Sequence, residues 1–216
     1  MIKFVLTSIL SFLFATITFA QSTKIDFETG NPLESAVRNF KLIADGKTNK
    51  TVYISAKPGP GVVWIKNADF ETGTIDFDIK GKDVLQESFV GFAFSGVNDS
   101  TYQAVYFRPF NFLAADPVRK KHAVQYISLP DDDWPYLREN FPDKYESAIA
   151  SKIDPNNWFH VTLEIKNNLI SVFVQNDTKV CMAIIPLNKV QQGKIGFWAG
   201  NESDGFYKNL EVKKQR

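Results

Sequence analysis

Asp76 and Asp78 lie two residues apart in GTIDFDI, and they are the first side chains of this sequence whose type and spacing could do chemistry. In an extended strand such residues share a face, with backbone positions ~6.5 to 7 Å apart. Flexible side chains could then bring the carboxyls to the ~5 to 5.5 Å of a retaining glycosidase pair, or leave them at the wider spacing of an inverting one. The sequence holds two histidines, His122 and His160. His160 falls between Phe159 and Val161, points off that strand's apolar face with Glu164, and is the third candidate for proton transfer. A plainer reading stands beside this one: alternating carboxylates keep the wet face of an outer strand soluble, and a strand histidine is often only exposed.

A second constellation suits binding rather than bond cleavage. In VYFRPFNF, Arg108 follows a strand face carrying Tyr102 and Tyr106, and Pro109 ends the ladder because it has no amide hydrogen to give. Arg108 and Asn111 are therefore expected at a strand end. Gln125 and Tyr126 in HAVQYIS, with Trp134 and Tyr136 in DDDWPYL, complete the set. Arginine offers five fixed donors to hydroxyls or a carboxylate, and tyrosine and tryptophan faces stack on the apolar side of a pyranose. Tyr106, Arg108, Asn111, Gln125, Tyr126, Trp134 and Tyr136 are thus the candidate saccharide contacts. Two structural alternatives remain open: Arg108 could pair with an acid of the 131–133 run, and Trp134 and Tyr136 could be plugs pinning a loop to the sheet.

Other chemistries find little footing. Each histidine is alone in its strand, so no metal motif is read, and no organic cofactor is implied. The acidic stretches at 98–100, 131–133 and 201–204 could give oxygen ligands to calcium, but they lack a defined loop spacing and suit turns for backbone reasons. With 25 basic and 24 acidic residues the charge is nearly balanced, which leaves no nucleic-acid footprint. The run Arg119, Lys120, Lys121 reads as a solvated loop rather than a polyanion site.

The elements that must position these residues are strands. Ile75, Phe77 and Ile79 alternate with Thr74, Asp76 and Asp78; Val90, Phe92 and Phe94 alternate with Gly91, Ala93 and Ser95; Val105 and Phe107 oppose Ala104 and Tyr106. The small residues at 91, 93 and 95 would leave room for something to lie across the sheet. Asn167-Asn168 between FHVTLEI and LISVFVQ reads as a hairpin turn. Nine to eleven strands, among them KIDFE near the start, predict an all-β, two-sheet antiparallel sandwich. Residues 129–152 interrupt the pattern, and helical turns are expected around 136–140 and 145–150. Before all of this, MIKFVLTSILSFLFATITFA has the charged start, apolar middle and small-residue end of a signal peptide, so residues 1–20 are expected to be removed and 21–216 to form one exported domain, periplasmic or secreted. No later segment is long and apolar enough to span a membrane. Cys181 is the single cysteine, which excludes an intramolecular disulfide, and in KVCMAIIPL it reads as a small buried hydrophobe.

The succession GTIDFDI, SFVGFAFSG, VYFRPFNF, QYISLPDDDWPYLRENFPDKYES, NWFHVTLEI, GKIGFWAG and GFYKNLEV resembles the concanavalin A-like lectin and glucanase superfamily across residues 25–213. It is most similar to the laminin G-like jelly rolls and to the bacterial 3-keto-disaccharide hydrolase domains. The resemblance implies a jelly roll with a concave outer face free for recognition. The Glu, Asp, Glu signature of retaining glucanases is not present, and Asp76 and Asp78 are its nearest match. Three functions are compatible with the fold: saccharide binding, glycoside hydrolysis like that of the 3-keto-disaccharide hydrolases, and a laminin G-like protein interaction module.

Overall fold

The computed structural model describes residues 21–27, 30–44, 50–175 and 177–215, so the expected leader at 1–20 lies outside the described residues. The chain begins with β1 (Gln21–Lys24), β2 (Leu33–Glu34), β3 (Phe40–Ala44), β4 (Lys50–Ile54) and β5 (Gly61–Phe70). It continues through β6 (Gly73–Lys80), β7 (Val90–Asn98), β8 (Thr101–Phe107), a 3₁₀ turn at Pro109–Asn111, α1 (Pro117–Lys121) and β9 (Val124–Leu129). Then follow α2 (Trp134–Asn140), β10 (Glu146–Ser147), β11 (Phe159–Lys166), β12 (Leu169–Val174), β13 (Met182–Ile184), β14 (Gly193–Ala199) and β15 (Gly205–Lys214).

These strands form two antiparallel sheets. One has the order β13-β12-β11-β6-β15-β4-β3, with β1 also paired to β15; the other runs β10-β9-β8-β7-β14-β5-β2. The all-β sandwich read from the alternation is therefore the architecture. Ile75, Phe77, Val105 and Phe107 have no exposed surface. Ring contacts tie the sheets face to face: Phe77 to Phe92 at 5.0 Å, Phe107 to Phe159 at 5.2 Å and Phe197 to Tyr207 at 4.6 Å. Tyr207 is fully buried, and its hydroxyl donates to the Trp198 carbonyl at 2.6 Å, so no polar atom is left orphaned by that burial. At the Asn167-Asn168 turn both residues have positive φ, 51° and 61°, as a two-residue hairpin with the sheet's twist requires.

Several local expectations are corrected. Fifteen strands occur among the described residues rather than nine to eleven, and two of them, β2 and β10, have only two residues each, too few to show a period. The first strand is Gln21–Lys24, which shares only Lys24 with the KIDFE segment; Ile25 donates its amide to the Leu210 carbonyl, and Glu28 lies outside the described residues. Helix α2 falls where a helical turn was expected, capped by the Asp133 carboxylate and started by Pro135 near its N-terminus. The second expected turn, at 145–150, is extended: Glu146 and Ser147 pair with Gln125 and Val124. Arg119, Lys120 and Lys121 end the short helix α1 rather than lying in a loop, with Asp116 accepting the Val118 amide at its start.

Candidate functional site

The outer face of the seven-stranded sheet is aromatic, and one glycine explains why. Gly91 on β7 lies between Tyr106 on β8 and Trp198 on β14 in a single cross-strand row. A Cβ at Gly91 would meet the Val105 carbonyl oxygen at 2.3 Å and the Tyr106 Cα at 2.6 Å. Without it, the rings of Tyr106 and Trp198 stack at 4.6 Å. Trp198 Nε1 donates to the Tyr102 hydroxyl at 3.0 Å, and Trp64, edge-on to Tyr102, donates to Asp99 at 2.7 Å. The room left by the small residues is thus filled first by the protein's own rings.

Above this floor the segment before β7 and the 129–152 insertion form walls, and two adjoining cavities of about 320 Å³ each open between them. Both are lined by Gln86, Phe89 and Trp134. One continues over Tyr106, Trp198, Ile127 and Asp133; the other over Arg108, Asn111, Arg119, His122 and Arg138. Trp134, the first residue of α2, is 42% exposed, with the Arg138 guanidinium 5.0 Å from its ring centre.

Arg108 does not pair with the 131–133 run. It is only 6% exposed, donates to the Tyr106 hydroxyl at 2.7 Å and to the His122 carbonyl at 2.9 Å, and lies over the Tyr106 and Phe89 rings. Burial lowers its pKa, yet a guanidinium stays charged at any physiological pH. Asn111, held in the 3₁₀ turn, accepts from Arg119 Nε at 3.2 Å and donates to the His122 carbonyl. Beneath them Glu146 lies 2.7 Å from His122 Nδ1 and 2.8 Å from Arg138 Nη2. Burial pushes the His122 pKa down against the pull of Glu146.

The structure therefore gathers Tyr106, Arg108, Asn111 and Trp134, and separates the rest of the expected contact set. Tyr126 pairs with Val105, so it faces the core, is fully buried and donates to Gln103 Oε1 at 2.9 Å. Gln125 is on the outer face but beneath the insertion, where its amide donates to the carbonyls of Tyr126 and Tyr145. Tyr136 is exposed, packs against Phe141 and lines neither cavity. Trp198, a strand residue for which the sequence suggests only core or rim packing, lies outside the expected contact set, although the alternation in GKIGFWAG places it opposite Phe197. Glu146 was missed for want of any signal, since its strand has two residues.

Asp76, Asp78 and His160 do converge, on the outer face of the other sheet, beside a cavity of about 460 Å³. His160 Nδ1 is 2.8 Å from Asp78 and Nε2 is 3.6 Å from Asp76. Thr162 donates to Asp76 at 2.6 Å, Asn209 donates to Asp78 at 2.6 Å, and Lys213 lies 3.4 Å from Asp76. Burial alone would raise both carboxyls, but hydrogen bonds from His160 and the neighbours hold both below the ordinary carboxylate value. Hydrogen bonding to Asp76 and Asp78 raises His160 to about 9. The two carboxyls are shifted in the same direction, so neither shows the raised value of the protonated carboxyl in a glycosidase pair.

The acidic stretches are engaged within the protein. Asp99 holds Trp64, Asp132 accepts from Asn188 at 2.8 Å, Asp133 caps α2 and Asp204 pairs with Lys82 at 2.8 Å. No three His, Cys, Asp or Glu side chains among the described residues are arranged to hold a metal ion. The Cys181 thiol is pushed up to about 11, chiefly by burial.

Comparison with solved structures decides the fold. The chain is similar to the carbohydrate binding module CBM66 from Bacillus subtilis, with a TM-score of 0.59, 12% identity, and coverage of 87% of this chain and 99% of that one. The fold is a concanavalin A-like jelly roll. Bacillus licheniformis β-glucanase matches with a TM-score of 0.53 and 14% identity, covering 90% of this chain and 92% of that one. The exoplasmic/lumenal domain of VIP36, in its Ca2+/Man3GlcNAc-bound form, matches at 0.54 and 11%, covering 92% and 90%. No protein-family model matches the sequence, and neither does any curated protein. Within this jelly roll the aromatic floor lies on one outer face and the Asp76–His160 network on the opposite one. No helix among the described residues is long and apolar enough to cross a membrane.

Proposed function

We propose that this domain is an exported saccharide-binding module whose groove lies on the outer face of the seven-stranded sheet. The observation that carries the reading is that the exposed Trp134 lines two adjoining cavities, one over the Tyr106–Trp198 floor and the other over Arg108. A pyranose has an apolar face that stacks on such rings and a rim of hydroxyls that accepts from guanidinium and amide groups. The CBM66 and VIP36 likenesses support this use of the fold, since carbohydrate binding is what their names state. A laminin G-like role would call for a broad apolar patch rather than a walled groove with few polar groups.

The test is a glycan array on residues 21–216, repeated with Trp134→Ala and Arg108→Ala. Wild type should bind at least one glycan class, and Trp134→Ala should weaken it about tenfold or more, as loss of one stacking partner worth ~1.5 kcal/mol requires. Binding that survives both substitutions unchanged would remove the groove from consideration. Export is tested by N-terminal sequencing of the protein recovered from outside the cytoplasm, which should begin at Gln21.

A further inference from the structure

The cavity beside Trp134 carries an unusual charge balance. Three arginines, Arg108, Arg119 and Arg138, line it together with His122, and no aspartate or glutamate does. Arg138 is neutralised from beneath by Glu146, at 2.8 Å. Neither Arg108 nor Arg119 forms an ion pair among the described residues: Arg108 donates to a tyrosine hydroxyl and a backbone carbonyl, and Arg119 to Asn111 and the Phe110 carbonyl. Of the five N–H groups a guanidinium offers, each has spent only two.

Arg108 is the informative member of this group, because it is buried to 6% exposure while facing a second guanidinium. A buried charge without an ion-pair partner is costly to fold; the positive field of Arg138 adds to that cost and the field of Glu146 offsets part of it. An oxyanion entering the cavity relieves what remains. Arginine forks match planar or tetrahedral oxyanions with two parallel hydrogen bonds, whereas a neutral hydroxyl takes one. We propose that the groove selects saccharides bearing an anionic group, the carboxylate of a uronic acid or a sulfate ester, seated between Arg108 and Arg119 beside Trp134. This inference rests on the saccharide-binding reading of the groove and names its substrate class.

Calorimetric titration of the mature chain with three oligosaccharides of equal length separates the two claims: one neutral, one built of uronic acids and one sulfated. At least one anionic ligand should bind tenfold or more tightly than the neutral one, which corresponds to one charge-assisted hydrogen bond of ~1.5 kcal/mol. That advantage should shrink as salt rises. Arg119→Gln should cut the anionic preference about tenfold; Arg119 is exposed, so thermal unfolding should match wild type and show that the variant is folded. A preference for the uronate over the sulfated ligand assigns the oxyanion to a carboxylate, and the reverse assigns it to a sulfate. Equal affinity for neutral and anionic ligands, with binding still sensitive to Trp134→Ala, overturns the anionic inference and leaves saccharide binding standing. Failure of all three ligands, on top of an array without hits, overturns both.

Discussion

The two outer faces of this sandwich use polar chemistry in opposite ways. On the eight-stranded sheet the charges of Asp76, Asp78, His160 and Lys213 are spent on one another, at 2.8 to 3.6 Å. On the seven-stranded sheet the rings satisfy their own polar atoms, while Arg108 and Arg119 keep donors and charge unspent beside an open cavity. A self-compensated network stabilises a surface and leaves less free charge for a ligand. The uncompensated face gives up some stability and keeps that capacity, as binding sites commonly do.

The sharpest way to break this contrast is Trp198→Ala. Trp198 is 4% exposed, stacks on Tyr106 and holds the Tyr102 hydroxyl, so its removal should cost about 3–5 kcal/mol and be seen as a lower midpoint in urea. Glycan binding should be lost with it. If stability falls while binding is kept at wild-type strength, the aromatic floor is a structural layer and the two faces do not differ as argued.

The same contrast marks where sequence reasoning worked. Alternation placed Ile75, Phe77, Val105 and Phe107 inside and Asp76, Asp78 and His160 together outside, because a period of two leaves a strand residue only two directions to point. Cross-strand register brought His160 opposite Asp78, and no single-strand pattern contains that pairing. Tyr126 was assigned to the wrong side for a related reason: Tyr126 and Val105 share a face only once β8 and β9 are paired. The groove's walls were least legible. Glu146 and Arg138 meet within the 129–152 insertion, where no periodicity operates and contacts are set by tertiary packing alone.

A second, smaller effect should distinguish the faces by pH. His160 has a folded value of about 9, above its ordinary 6.5, so its share of stability is complete below about 6.5 and is lost as pH rises through 9. Asp76 and Asp78 are shifted the other way, so their share is present above their ordinary value near 3.8 and is lost as pH falls through the depressed folded values. Stability conferred by the network should therefore peak between roughly pH 4 and 6.5. His160→Gln should cost about 1–2 kcal/mol at pH 6, less at pH 9.5, and should leave glycan affinity unchanged. Urea titrations of both proteins across that range give the comparison. A loss in His160→Gln that stays constant from pH 6 to 9.5 would show that its charge is not what stabilises the face.

Within that network the burden should fall on the histidine rather than the lysine, and Lys213→Met is the smallest and most discriminating of these tests. Lys213 reaches Asp76 at 3.4 Å and Glu211 at 3.5 Å, but its side chain is 44% exposed, where water screens the charge and holding a long side chain costs entropy. The substitution keeps most of the apolar stem and removes only the ammonium. A loss below about 0.5 kcal/mol is expected, disappearing in high salt. A loss equal to that of His160→Gln would mean that Asp76 depends on its exposed partner as much as on its sheltered one. Solvent would then have failed to screen the outer pair, and the face would be stabilised by its rim instead of by the row of paired side chains along β6 and β11.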